Sequence, residues 1–547
     1  MNRRGGKLLV DQLTIHGADT IFSVPGESFL EVLDGLYDSP LRLITCRHEA
    51  GAANMADAYG KLTGRPGIAI VTRGPGATHA SVGVHTAFQD STPLILLVGQ
   101  VASDQEEREA FQEVDYRRMF GPMTKWVAQI ERADRIPEYV HRAFTTACAG
   151  RPGPVVLALP EDMLSTETDV ADAEAFHVVQ PHPGADAIDR LRTLLEGAER
   201  PFVLLGGAGW TPEASNGMRA FVEANELPAG TAFRRQDALD NDSPSYAGDV
   251  GVGVNPKLAA RVREADVLLV VGPRLGEMTT SGYTLVGSQT LVHVHPGAEE
   301  LGRVYRPALP ILSGMEQFAA AVRDLRVEPR WRDWTAAGRS DYEEWRQHTP
   351  MPGTLDLGDC VAYMRERVPH AIVTNGAGNF STWAHRFWRW HDYPSQLAPT
   401  SGAMGYGVPA AIAAKVVLPE RTVIAFAGDG DFLMTGQELA TAMQYDLPIV
   451  VLVVNNGMYG TIRMHQERHF PGRVVGTDLV NPDFAAYARA FGAFGETVTE
   501  TAQFAGAFER ALAAGTSALL ELRIDPEAIN PRTTLSAIRA DALRRAQ

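Results

Sequence analysis

Cysteine is scarce: the 547-residue chain has three, Cys46, Cys148 and Cys360, far apart. They are too few and too scattered for a disulfide framework or a thiolate metal site, and read as small buried apolar residues. Positive charge is short as well, since 50 Lys and Arg against 66 Asp and Glu leave a formal charge of −16. A field of that sign repels nucleic-acid phosphate and anionic lipid, and leaves a nucleotide-like ligand in need of a metal or local donors. Long apolar runs are also missing. No window approaches the roughly 20 uncharged apolar residues of a membrane span. The opening MNRRGGKLLVDQL has no apolar stretch long enough for a signal peptide before Asp11. The expectation is a cytoplasmic protein with neither a nucleic-acid nor a membrane partner.

What is present is ordinary for a globular protein, with 45% hydrophobic and 21% charged residues. The length is about three times a domain of about 150 residues. Short β-branched runs alternate with helix-like stretches: IFSV (21–24), LRLITC (41–46), GIAIVT (67–72), PLILLVG (93–99) and PVVLALP (154–160). After a polar passage the rhythm resumes at PFVLLGG, ADVLLVVG and TLVHVHP, and again at AIVT, TVIAFAGDGD, PIVVLVVNN and ALLELRI. This pattern predicts an α/β protein with three doubly wound parallel-sheet domains, over residues 1–170, 185–340 and 350–530, and a C-terminal tail over 531–547. No sequence repeat relates the three.

The most informative stretch is AGDGDFLMTGQELATAMQYDLPIVVLVVNNGMYG (427–460). A strand ends at Gly428-Asp429-Gly430, a helix is predicted from about Phe432 to Tyr445, and a second strand ends at Asn455-Asn456. Both polar groups then leave the same carboxyl edge of one parallel sheet, where open α/β sheets bind ligands. A carboxylate, an amide oxygen and a turn carbonyl are hard oxygen ligands of the kind that hold Mg²⁺ on a diphosphate. The flanking glycines admit close approach of the backbone. Each piece alone reads as an ordinary turn; the pair, with twenty-four residues between Gly430 and Asn455, does not.

The GDG and NN pair resembles the cofactor motif of the thiamine diphosphate (ThDP) enzymes. The resemblance implies that Asp429, the Asn456 side chain and the Met458 carbonyl hold Mg²⁺. It also implies that Gly430 and Asp431 lie against the diphosphate, and that Gly378 and Asn379 are among the coenzyme-binding residues. Asp431 is a departure, because many relatives carry a small neutral residue there. The segment TCRHEAGAANMADAYG is similar to the family's glutamate segment and makes Glu49 the carboxyl group that shares a proton with the coenzyme's pyrimidine ring. PTSGAMGYGVPA resembles the family's hinge, with Gly402 offering a carbonyl to the exocyclic amine and Met404 wedged between the two rings. The three domains become pyrimidine-binding, central and diphosphate-binding.

Within the family, Phe111-Gln112-Glu113 followed by MTKW is most similar to acetolactate synthase and pyruvate oxidase, where the Phe and Gln approach the reacting centre. The His-His pair of simple pyruvate decarboxylases is missing from the first domain. Three departures accompany this. Glu27 in Pro25-Gly26-Glu27-Ser28 stands where a glycine is usual and could act as a general acid. His465 stands at the position of an acceptor-pocket tryptophan. Met278 replaces an arginine that contacts flavin, so FAD is left open. Taken alone, Glu27 also reads as a solvated turn residue, Gln112 as a loop hydrogen bonder and His465 as a surface helix residue.

The resemblance implies a ThDP- and Mg²⁺-dependent 2-oxoacid decarboxylase or carboligase. A C–C lyase or hydrolase acting on a diketone or a 2-hydroxyacyl thioester, and a non-catalytic ThDP-binding scaffold, stay as alternatives. Because Glu49 and the metal motif fall in different domains, the family arrangement implies a homodimer or homotetramer with active sites between subunits.

Overall fold

The computed structural model describes residues 2–545. The chain forms three six-stranded parallel sheets flanked by helices, with two small antiparallel ribbons at its ends. Residues up to Val179 together with Ile412–Val417 form one compact unit, and Gln180–Ala411 with the remainder of the chain form the other. Among the described residues, no helix is long and apolar enough to cross a membrane.

In the first unit the sheet runs Arg42–Thr45, Thr20–Ser23, Gly67–Val71, Leu94–Gln100, Pro154–Pro160, Trp126–Gln129. Its central strands are buried along their whole length, because helices cover both faces of a parallel sheet. The helix Glu49–Thr63 ends on Gly64 in the left-handed region, at φ +67°. It packs on the helix Pro75–Asp90 through small residues: a Cβ on Gly83 would lie 2.4 Å from the Ala53 Cβ. Lys61, Asp57 and Asp90 form a buried ion cluster at this contact.

The second unit holds two sheets. The central one runs Tyr246–Asp249, Ala229–Thr231, Pro201–Leu205, Val267–Val271, Thr290–His295, Leu309–Leu312. The other runs Gln396–Leu397, Ile372–Asn375, Val423–Gly428, Val450–Asn455, Ala518–Arg523, Phe494–Val498. Counted in chain order, this last sheet and the first share the strand order 2-1-3-4-6-5, whereas the central sheet has 3-2-1-4-5-6. The first and third sheets therefore repeat one topology without any repeat in sequence.

One sequence expectation is corrected. The segment after Asp429 is not a single helix from Phe432 to Tyr445: a turn of helix spans Asp429–Phe432, and helix resumes only at Leu439–Gln444 after a 3₁₀ turn. Between them Thr435 takes φ −141° and its hydroxyl donates to the Gly405 carbonyl at 2.7 Å, which pulls the chain out of helical register.

Candidate active site

The third sheet changes direction between Ile372–Asn375 and Val423–Gly428, and the crevice at such a switch point is where open α/β sheets take ligands. A cavity of about 240 Å³ opens there, lined among others by Gly378, Asn379, Gly402, Met404, Asp429, Gly430, Asp431, Asn456 and Met458. These nine residues come from four separate stretches of chain, and all were expected at the site.

Asp429 is buried at the end of its strand. Its carboxylate accepts from the amides of Gly430 and Gly457, each at 2.9 Å, and from Asn481 Nδ2 at 2.8 Å. Burial raises its pKa above the ordinary carboxylate value, against the pull of these bonds. No lysine or arginine pairs with it among the described residues. A buried carboxylate held only by neutral donors suits a bound cation. Asn456 Oδ1 accepts from the Met458 amide at 3.2 Å, which folds the turn so that Met458 follows closely. Its neighbour Asn455 turns the other way, donating to buried Glu521 at 2.7 Å and accepting from Asn481 at 3.0 Å.

The glycines have a steric reason beyond ligand approach. A Cβ on Gly428 would lie 2.7 Å from the Phe380 ring, on Gly430 2.5 Å from the Tyr459 ring, and on Gly378 2.6 Å from Phe380. Two aromatic rings thus close over the GDG turn. Asn379 is tied down by Thr461, whose hydroxyl accepts from the Asn379 amide at 3.0 Å and donates to Asn379 Oδ1 at 3.1 Å. Asp431 Oδ1 accepts from the amides of Ala377 (3.2 Å) and Gly405 (2.8 Å) and so joins two of the cavity loops. Its Oδ2 is buried with no partner, and burial pushes its pKa up to about 7.

The first unit gathers a second set at its own carboxyl edge. Glu49 is buried and opens its helix behind His48, whose Nδ1 accepts from the Ala50 amide. Its Oε2 lies 2.9 Å from His79 Nδ1, and the His79 ring stacks on His48 with centroids 4.5 Å apart. Burial, then the neighbouring His79, lowers the His48 pKa. Gln112 has φ +66° and packs on Gly74, where a Cβ would meet the Gln112 carbonyl oxygen at 2.6 Å; its side-chain oxygen is buried without a partner. Phe111 is exposed, and its carbonyl accepts from Arg73 Nε at 3.1 Å. Glu27 is exposed and faces the same Arg73 at 3.7 Å.

His465 behaves differently. It is exposed on the helix Gly460–His469, stacks parallel to His469, and lies outside the cavity lining that the start of this helix provides. Met278 is exposed in a turn of the central domain. Sequence reasoning overlooked Asn481, Thr461, Glu521 and the Phe380 and Tyr459 rings, and it assigned no role to His79. Tyr459 lies within the stretch 427–460; the others sit in no motif, and each is recruited by a tertiary contact.

Comparison with known proteins gives a consistent picture. Residues 3–119 match the thiamine pyrophosphate enzyme N-terminal TPP binding domain, 188–322 its central domain and 376–522 its C-terminal TPP binding domain. The chain is 30% identical over 535 residues to the acetolactate synthase isozyme 2 large subunit of Escherichia coli (strain K12), covering 95% of each. It is 32% identical over 516 residues to the acetolactate synthase large subunit of Parasynechococcus marenigrum (strain WH8102), covering 91% of this chain and 83% of that one. The acetolactate synthase of Bacillus subtilis (strain 168) is 29% identical over 541 residues, covering 96% and 94%.

Proposed function

Since the chain belongs to the thiamine pyrophosphate enzyme family, in its acetolactate synthase-like group, we propose that it is a Mg²⁺-dependent enzyme that decarboxylates a 2-oxoacid and passes the remaining carbon unit to an acceptor. The observation that carries this is the meeting of buried, cation-free Asp429 with Asn456 and Met458 at one cavity. In this reading Asp429, Asn456 Oδ1 and the Met458 carbonyl hold Mg²⁺. Gly430, Gly378 and Asn379 border the diphosphate, and Asp431 braces the loops around it. Gly402 and Met404 serve the pyrimidine and the bend. When bound, thiamine diphosphate supplies the electron sink that decarboxylation of a 2-oxoacid requires.

The chain's own share is positional and protonic. Glu49 holds a proton at its carboxyl group, and His79 fixes one of its two oxygens. Phe111 and Gln112 stand at the same sheet edge, ready to shape the space around the reacting carbon. Glu49 belongs to one compact unit and the metal residues to the other, and the proposed active form is a homodimer or homotetramer in which two copies complete each site. The central domain need not carry FAD for this chemistry.

Glu27 favours a second reading. In that reading its carboxylate, beside Arg73, serves as the acid–base group of a C–C lyase or hydrolase on a diketone or 2-hydroxyacyl thioester. The test is to supply Mg²⁺, ThDP and pyruvate, and follow CO₂ together with acetolactate or acetoin. Release of both supports the first reading. Turnover of a diketone with none of pyruvate supports the second, and coenzyme uptake without turnover on any of these substrates leaves a binding scaffold.

A further inference from the structure

The loop that follows the central strand Ala229–Thr231 contains Arg234-Arg235-Gln236-Asp237. Three of these four residues bond directly to the stretch Ser395–Pro399 of the next domain. Asp237 Oδ2 accepts from the amides of Ser395 (3.0 Å) and Gln396 (3.1 Å). Gln236 and Gln396 exchange two bonds, Gln236 N to Gln396 Oε1 at 2.7 Å and Gln396 Nε2 to Gln236 Oε1 at 2.8 Å. Arg234 Nη1 donates to the Pro399 carbonyl.

Arg234 is the unusual member. It is buried, and its backbone sits at φ +58°, in the left-handed region that a side chain with a Cβ rarely adopts. A buried charge in a strained backbone persists only where the surroundings hold it, so what it reaches is informative. The Pro399 carbonyl it grips is the same one that accepts from the Gly402 amide at 3.0 Å. That bond closes the turn which presents Gly402 and, two residues on, Met404 to the cavity. From the other side the next residue along, Gly405, donates to Asp431. The turn is therefore clasped at both ends, by Arg234 and by Asp431. The Arg234 charge also lies close enough to oppose protonation of Asp431 and of the buried His385.

We propose that Arg234 is a positioning residue for the aminopyrimidine half of the coenzyme: through the Pro399 carbonyl it fixes the Pro399–Gly402 turn, so that the central domain sets the shape of the cavity's pyrimidine side without bonding to the residues assigned to Mg²⁺. This rests on the coenzyme assignment made above. No residue of the Arg234–Asp237 loop touches Asp429, Asn456 or Met458, whose bonds are all made within the third sheet and its loops.

The experiment compares two probes, thiamine diphosphate and inorganic pyrophosphate, each with Mg²⁺, by calorimetry on the full chain. Arg234→Gly suits it because glycine accepts φ +58° without strain, so the variant removes the side chain while easing the backbone. Arg234→Asn, also tolerant of that conformation, is the second variant should the first be poorly folded. The expected result is a thermal midpoint near that of wild type, a loss of ten-fold or more in affinity for thiamine diphosphate, and unchanged affinity for pyrophosphate. Arg234→Lys should recover part of the loss. Equal weakening of both probes makes Arg234 a structural residue only and overturns the proposal, as does unchanged thiamine diphosphate affinity. If wild type takes up pyrophosphate but not thiamine diphosphate, the coenzyme assignment itself fails, whatever the variants do.

Discussion

His79 Nδ1 stands 2.9 Å from Glu49 Oε2, joining the first turn of one helix to the second turn of the helix packed beside it. The other carboxyl oxygen, Oε1, faces Gly76, where a Cβ would lie 3.4 Å away. His79 thus occupies one oxygen and leaves the other for a second partner. Glu49→Gln should keep thiamine diphosphate bound but slow exchange of its C2 proton by roughly 10²-fold or more, read by NMR after quenched deuterium exchange. His79→Asn places an amide nitrogen near the Nδ1 position and should retain most of the exchange rate; His79→Leu should not. Equal rates in wild type and His79→Leu would show that the contact plays no part in proton handling.

The metal side predicts a linkage. With Asp429→Ala or Asn456→Ala, thiamine diphosphate uptake should no longer depend on Mg²⁺, and chelation of Mg²⁺ from wild type should reproduce the loss. Asn481 touches Asp429 Oδ2 and Asn455 Oδ1 and orients both. Asn481→Ala should weaken Mg²⁺-linked uptake about 10–100-fold without abolishing it, the range usual for residues that support a metal ligand from behind. Calorimetric titration of the coenzyme at several Mg²⁺ concentrations distinguishes the three variants.

The sequence made the middle of each sheet readable because parallel strands buried on both faces are continuous apolar runs, as in Leu94–Gln100 and Val450–Asn455. Edge strands other than Arg42–Thr45 escaped it. Trp126–Gln129 and Phe494–Val498 are only partly buried, and Gln396–Leu397 is two residues long, so none leaves such a run. Asp429 and Asn456 were legible for the same reason as their strands, since each follows directly on a strand's last residues. Asn481 and Thr461 were not, because their roles depend on which loops meet in space. The common strand order of the first and third sheets was equally hidden, topology being set by crossovers and not by local composition.

Gly430 gives a steric prediction that is separate from any ligand. With a would-be Cβ 2.5 Å from the Tyr459 ring, Gly430→Ala must push the ring or the turn aside, at about 1–3 kcal/mol in the protein without coenzyme. Pairing it with Tyr459→Ala should restore most of the lost stability. A thermal melt of the two variants without Mg²⁺ or coenzyme reads this. A double variant no more stable than Gly430→Ala would mean that the ring is not what excludes a larger residue.

Glu467 anchors the C-terminal helix Leu535–Arg545 to the helix Gly460–His469, whose first residues line the cavity. Its carboxylate is fully buried and accepts from Arg539 Nε at 2.7 Å, Arg463 Nε at 3.1 Å and the Gly472 amide at 3.0 Å. Arg539 chiefly holds its pKa down to about 2 from 4.5. A carboxylate depressed on folding contributes stability that is complete above the unfolded value and vanishes as pH falls through the folded one. The window here runs from about pH 4.5 to about pH 2, and the contribution is roughly 2–3 kcal/mol. Glu467→Gln should lose that amount at neutral pH and show a flatter stability profile across the same window. Protection of the amides in 535–545, taken relative to the intrinsic exchange rate at each pH, should fall in the variant at pH 7, and wild type should reach the same low protection only near pH 2–3. If the helix stays equally protected in both proteins, its hold on the cavity comes from the apolar contacts of Ile529 and Leu535 with Met464 and not from the ion pair.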